Sequence, residues 1–136
     1  MDCPFCKITV KELDAKIISE TETTIAFLDI NPVLPGHSLV IPKAHYINVS
    51  DAPAGILADL MAHAKETANL LVKALDAAGF NIVNANGKSA QQSVFHLHFH
   101  IVPRFVNDGK NIWFHGERTG GKNIEQVYAK ILRYQE

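Results

Sequence analysis

The chain has 136 residues, enough for one hydrophobic core and few for two. Its formal net charge is −1 with histidine neutral, without the basic excess that marks a nucleic-acid partner. No apolar run approaches membrane-spanning length and no signal-peptide pattern follows Met1, so the expectation is a single cytoplasmic domain, residues 1–136, with no membrane partner.

Taken in order, Cys3-Pro4-Phe5-Cys6 holds both cysteines. The spacing suits half of a zinc site, two incidental thiols, or a redox pair, the last of which needs a preceding strand that is not read here. Lys7 to Lys16 reads as a short helix or turn. Ile17-Ile18 and Ile25-Ala26-Phe27-Leu28 read as strands, with Glu20 to Thr23 as the turn between them. Asp29 ends the second strand, where a carboxylate can cap a turn. Pro32 to Gly36 is turn chemistry, and Ser38 to Ile41 is a strand closed by Pro42.

Asp51 to Ala78 reads as one long helix, with Ser50 or Asp51 as N-cap, Pro53 in the first turn and Gly79 just past the end. Ile56, Leu57, Leu60, Met61, Ala64, Ala68, Leu71, Val72 and Leu75 form its apolar stripe, with His63 beside it as an incidental residue. Phe80 to Val83 is a further strand. Gly109 to Gly116 reads as a loop, near a functional site of its own chain or of a dimer mate. Asn123 to Tyr134 reads as a short helix with Asn123 and Gln126 in capping-box spacing and Ile124, Val127 and Ile131 as its buried stripe.

The densest signal is Phe95 to Pro103, FHLHFHIVP. Alternation at period two predicts a strand with His96, His98 and His100 on one face and Phe95, Leu97, Phe99 and Ile101 on the other, stopped by Pro103. The stretch Asn84 to Ser93 leads into it and is rich in amide, hydroxyl and glycine, which are groups that hold anions. Together these elements predict an α+β domain: about five antiparallel strands, one long helix packed on the sheet, and a short C-terminal helix.

HxHxH followed by apolar residues resembles the signature of the histidine triad (HIT) family. The blocks Ala26 to Pro32 and Gly36 to Lys43 resemble that family's upstream half. The resemblance covers most of residues 3–104 and implies a HIT-like fold, a homodimer, and a nucleotide-binding hydrolase or transferase acting at an α-phosphate. It implies His98 as nucleophile, with His100, His37 and Ser93 completing the catalytic set. Asp29 is implied as a ribose ligand and Ile30 as a contact to the base, with Phe5, Ile8 and Phe27 as further apolar walls or simply core.

Asn84, or Asn86 if the loop is one residue longer, matches a ribose or phosphate contact, and Gln92 and Ser93 match phosphate contacts. Gln91 stands where relatives usually have glycine, which puts the backbone contact in doubt. A bacterial branch of the family further implies structural zinc on Cys3, Cys6, His45 and His96. His100, rather than Gln, favours hydrolysis over nucleotidyl transfer, and Arg104 resembles the branch acting on dinucleoside polyphosphates. The substrate so implied is a purine nucleoside phosphoramidate or dinucleoside polyphosphate. The alternative is a nucleotide-binding regulatory or scaffold module with little turnover.

Neutral imidazole suits such chemistry because it is nucleophilic near neutral pH and is not repelled by anionic phosphate oxygens.

Overall fold

The computed structural model describes residues 2–113 and 118–135. Phe114, His115 and Gly116 of the expected site-proximal loop lie outside the described residues.

Helix α1 spans Pro4–Thr9, earlier than the Lys7 to Lys16 segment expected from sequence. Cys3 is its N-cap and accepts from the Cys6 amide, and Pro4 opens it with a pre-set φ and no orphaned N–H. Strands β1 (Ile17–Glu20), β2 (Thr24–Leu28), β3 (Ser38–Pro42), β4 (Gly79–Val83) and β5 (Phe99–Arg104) form one antiparallel sheet in the order β1-β2-β3-β5-β4. Helix α2 spans Ala54–Leu75, between β3 and β4. This is the expected architecture.

The pleat sorts side chains to two cores. Ala26, Val40, Leu97, Phe99 and Ile101 meet Leu60, Ala64, Ala68 and Leu71 of α2 on one face. Ile25, Phe27, Leu39 and Ile41 meet Phe5 and Ile8 of α1 on the other. Covered on both faces, β2 and β3 are buried almost throughout and read as continuous apolar runs. Each fully buried aliphatic side chain there contributes about 1.5–3 kcal/mol.

Several boundaries differ from expectation. Neither Ser50 nor Asp51 caps α2: Pro53 is the N-cap, and the Asp51 carboxylate accepts from the amides of Ile47 and Asn48 in the preceding turn. The helix ends in a left-handed Asp76 (φ 55°), not at Gly79, which already belongs to β4. Regular pairing of β5 begins only at Phe99, so His96 and His98 precede the strand, and Phe95 is about half exposed. Pro103 does not stop the strand. Arg104 accepts through its carbonyl from Ala78 on the β4 side, so Pro103 turns its missing N–H toward the β3 side, where pairing has ended at Ser38–Ile101.

His63 is not incidental. It is buried, with Nε2 2.7 Å from Ser19 Oγ and Nδ1 2.7 Å from Thr24 Oγ1, joining α2 to the β1–β2 edge. Helix α3 (Ile124–Arg133) forms, but Asn123 adopts a left-handed φ of 64° and makes no side-chain cap. Its Ile124, Val127 and Ile131 are exposed rather than buried, because no other described element covers that face.

Gly36, with φ +85°, sits where a Cβ would collide with Leu75 and press on Pro103. That close approach seats the turn carrying His37 against the end of α2.

Candidate active site and metal cluster

A cleft of about 420 Å³ opens on the α1 face of the sheet. Its walls are apolar (Phe5, Ile8, Phe27, Leu39), and its polar end is Asp29, Ser93, His98 and His100. The pleat explains this grouping. Phe27 faces Leu39, Leu39 faces His100, and the Asp29 amide donates to the His37 carbonyl, so all five point to one face.

The hydrogen-bond partners assign the imidazole tautomers. His37 Nδ1 accepts from the Val33 amide (3.1 Å), so its proton sits on Nε2. That Nε2–H donates to His100 Nδ1 at 2.9 Å, and the Asp29 carboxylate lies 3.5 Å away. His100 therefore carries its own proton on Nε2. His98 Nδ1–H donates to the His96 carbonyl at 2.7 Å, which leaves its Nε2 with an uncommitted lone pair. The two rings stand edge to face with centroids 4.9 Å apart. The site thus pairs one nucleophilic nitrogen with one neighbouring N–H donor.

Burial keeps these rings neutral. It lowers the pKa of His98 and of His37, and it pushes His100 down to about 4, assisted by the neighbouring His98 and His37. A buried, neutral, lone-pair-bearing imidazole is a competent nucleophile at neutral pH.

The expected nucleotide residues divide in two. Asp29, Ile30, Ser93, His98 and His100 line the cleft, and His37 backs it. Asn84, Asn86, Gln91 and Gln92 do not line it. Asn84 donates to the His98 carbonyl, Asn86 donates to Asn84 Oδ1 and accepts from the Val49 amide, and Gln92 ties together Gly87, Ile47 and Val94. The Gln92 amide already donates to the Gly87 carbonyl. Gln91 is exposed and left-handed (φ 71°), a conformation that favours glycine. Arg104 lies away from the cleft, clamped on Asp108, Asn81 and the Lys110 carbonyl. Leu13, Asp14 and Ala15 also line the cleft, and nothing in their sequence pattern marks them.

Cys3, Cys6, His45 and His96 come together beside the cleft, each offering one ligand atom, all within 4.8 Å of one another. Cys3 Sγ lies 3.4 Å from His96 Nδ1, Cys6 Sγ 3.2 Å from His45 Nδ1, and the two Nδ1 atoms 3.2 Å apart. Tetrahedral zinc with these ligands has edges of about 3.3–3.8 Å, so the residues fit the ion. The tautomer fits too: His96 Nε2–H donates to the Pro42 carbonyl at 2.8 Å, which turns the Nδ1 lone pair inward. Burial lowers His96 to about 4 and raises Cys6. A cation reverses the penalty on the thiolate.

Asp29, His37 and His100 form a second compact group, but there the His37 Nε2 proton is fixed by the Val33 amide, so it suits a metal less well.

Residues 10–107 match the HIT domain family model. Adenosine 5′-monophosphoramidase HNT1 of Saccharomyces cerevisiae is 42% identical over 131 residues, covering 96% of this chain and 80% of that protein. A crystal structure from Streptococcus mutans UA159 superposes with a TM-score of 0.89 at 38% identity, covering 99% of this chain and 86% of the other. A zinc-bound histidine triad family protein of Mycobacterium smegmatis gives 0.79 at 34% identity, covering 100% and 99%. An antiparallel sheet presenting alternate histidines to an apolar cleft defines the histidine-triad class, and this chain belongs to the HIT family. Among the described residues no helix is long and apolar enough to cross a membrane.

Proposed function

We propose that this protein is a nucleotide hydrolase that cleaves at the α-phosphate of a purine nucleoside phosphoramidate or a dinucleoside polyphosphate. The observation that carries the reading is the His98 ring. Its Nδ1 proton is committed to the His96 carbonyl, and the ring lines an apolar cleft able to take a base. His98 Nε2 attacks the α-phosphorus, the bond to the leaving group breaks, and a nucleotidyl-histidine forms. Water then attacks the same phosphorus and the P–N bond breaks, returning His98 to its starting tautomer.

His100 Nε2–H and the Ser93 hydroxyl supply donors where charge develops on phosphate and leaving group. His37 holds His100 in the donating tautomer. Phe5, Ile8, Phe27 and Ile30 receive the base, and Asp29 accepts from a ribose hydroxyl. Asn84 acts from behind, holding the His98 carbonyl. The phosphoramidase activity named for the yeast relative supports an amidate leaving group.

Zinc on Cys3, Cys6, His45 and His96 is structural in this reading: it supplies a cross-link between the N-terminus and the segment that carries His98. The exposed apolar side chains of edge strand β4, Phe80, Ile82 and Val83, support a homodimer, which sedimentation equilibrium tests.

A substrate panel of adenosine phosphoramidates, diadenosine polyphosphates and lysine-linked adenylate tests the function. Turnover of at least one by wild type and none by His98→Ala is expected. Nucleotide binding without turnover of any of them favours a regulatory module instead.

A further inference from the structure

One ring touches both the metal cluster and the cleft. Phe5 lies between Cys3 and Cys6 on α1 and is buried against three other rings: His98 (centroids 5.2 Å, 81°), Phe27 (5.7 Å, 68°) and His96 (5.8 Å, 75°). It also forms part of the cleft wall with Ile8 and His98. We propose that Phe5 is a positioning residue through which metal occupancy of the Cys3–Cys6–His45–His96 cluster sets the seating of His98 and the nucleotide affinity of the cleft. The cleft half of this inference rests on the nucleotide reading above.

A helix of six residues has no stability of its own, so tertiary anchors fix where α1 lies. Those anchors are the two cysteines on one side and Phe5 with Ile8 on the other. His98 is likewise held from two sides, by the His96 carbonyl on Nδ1 and by the Phe5 ring edge-on. Both supports lead back to metal ligands: His96 is one, and Phe5 is bracketed by two. Without a cation, the four ligand atoms are held 3.2–3.5 Å apart only by thiol and imidazole hydrogen bonds, and the cluster relaxes by spreading. Movement of Cys3 and Cys6 then carries Phe5 with it, so the cleft wall recedes and the His98 ring loses its lateral contact. The effect is reciprocal by linkage: a nucleotide stacked on Phe5 holds α1 in place and tightens metal binding.

The test uses the full-length protein, zinc and AMP. AMP is expected to bind the zinc-loaded form about tenfold more tightly than the stripped form, and AMP is expected to slow zinc transfer to a chelator. Zinc is also expected to shift the His98 imidazole resonances in the absence of nucleotide. Phe5→Leu, which keeps an apolar side chain but loses the ring edge, is expected to retain zinc and abolish the AMP–zinc coupling.

Equal AMP affinity with and without zinc together with unmoved His98 resonances overturns the proposal, as does coupling that survives in Phe5→Leu. If the stripped protein unfolds, zinc transfer to a chelator is compared with and without saturating AMP in wild type and Phe5→Leu: slowing by AMP in wild type alone supports the coupling, and slowing in both or in neither overturns it. AMP binding to neither form contradicts the nucleotide reading, and the His98 resonances then decide the coupling alone.

Discussion

His98 donates through Nδ1 to the carbonyl oxygen of His96, two residues earlier, at 2.7 Å. This single contact makes His96, a member of the Cys3–Cys6–His45–His96 cluster, the orienting group for the candidate nucleophile. It also explains why His96 and His98 sit ahead of regular β5 pairing: a His96 carbonyl turned toward a side chain is not available to the sheet ladder.

The buried histidine outside the site gives the cleanest stability prediction. His63 satisfies both ring nitrogens with Ser19 and Thr24, and Thr24 is itself fully buried. His63→Ala removes both hydrogen bonds and leaves a cavity, so unfolding in urea is expected to show a loss of about 2–4 kcal/mol. Turnover at low temperature is expected to be unchanged, since His63 lies on the α2 side of the sheet.

The cluster predicts its own metal dependence. Cys3→Ser and His45→Ala are each expected to fall well below one zinc per chain by elemental analysis, with a lower Tm. Full occupancy in both variants contradicts the four-ligand assignment.

Acid is expected to destabilise the fold through buried neutral imidazoles. Burial depresses His37 and His63 and takes His100 to about 4, against an ordinary value of 6.5. Between those limits the unfolded chain binds more protons than the folded one, so stability rises with pH there. It is fully present above about pH 6.5 and is lost as pH falls toward about 4. Urea midpoints across that window, with zinc in excess, are expected to fall on acidification, and less steeply in His100→Gln. A flat profile contradicts the burial argument.

Gln91 occupies a left-handed position without a bonded side chain. Gln91→Gly is expected to stabilise modestly, by up to about 1 kcal/mol, because strain relief and added chain entropy oppose each other. Substrate KM is expected to move little, since the side chain lies outside the cleft.

Much of this was legible in the sequence. Period-two alternation placed His98 and His100 opposite Phe99 and Ile101, and the structure sorts them to those faces. The stripe of α2 was legible in part: Leu60, Ala64, Ala68 and Leu71 are buried, whereas Met61 and Leu75 are exposed. What escaped depends on partners distant in the chain. Pro103 stays within β5 because the adjoining strand ends two residues earlier, which periodicity does not reveal. His63 looked incidental because its hydroxyl partners lie in β1 and β2, 44 and 39 residues away. The stripe of α3 read as buried because amphipathicity marks a face without saying what covers it.

The proposed chemistry turns on His98, and trapping its covalent form tests that most directly. A single turnover with adenosine phosphoramidate labelled in the AMP moiety, quenched in alkali where a phosphoramidate persists, is followed by peptide mapping. The expected result is label on the peptide carrying His98, absent from His98→Ala. Label on another residue, or turnover retained in His98→Ala, contradicts it.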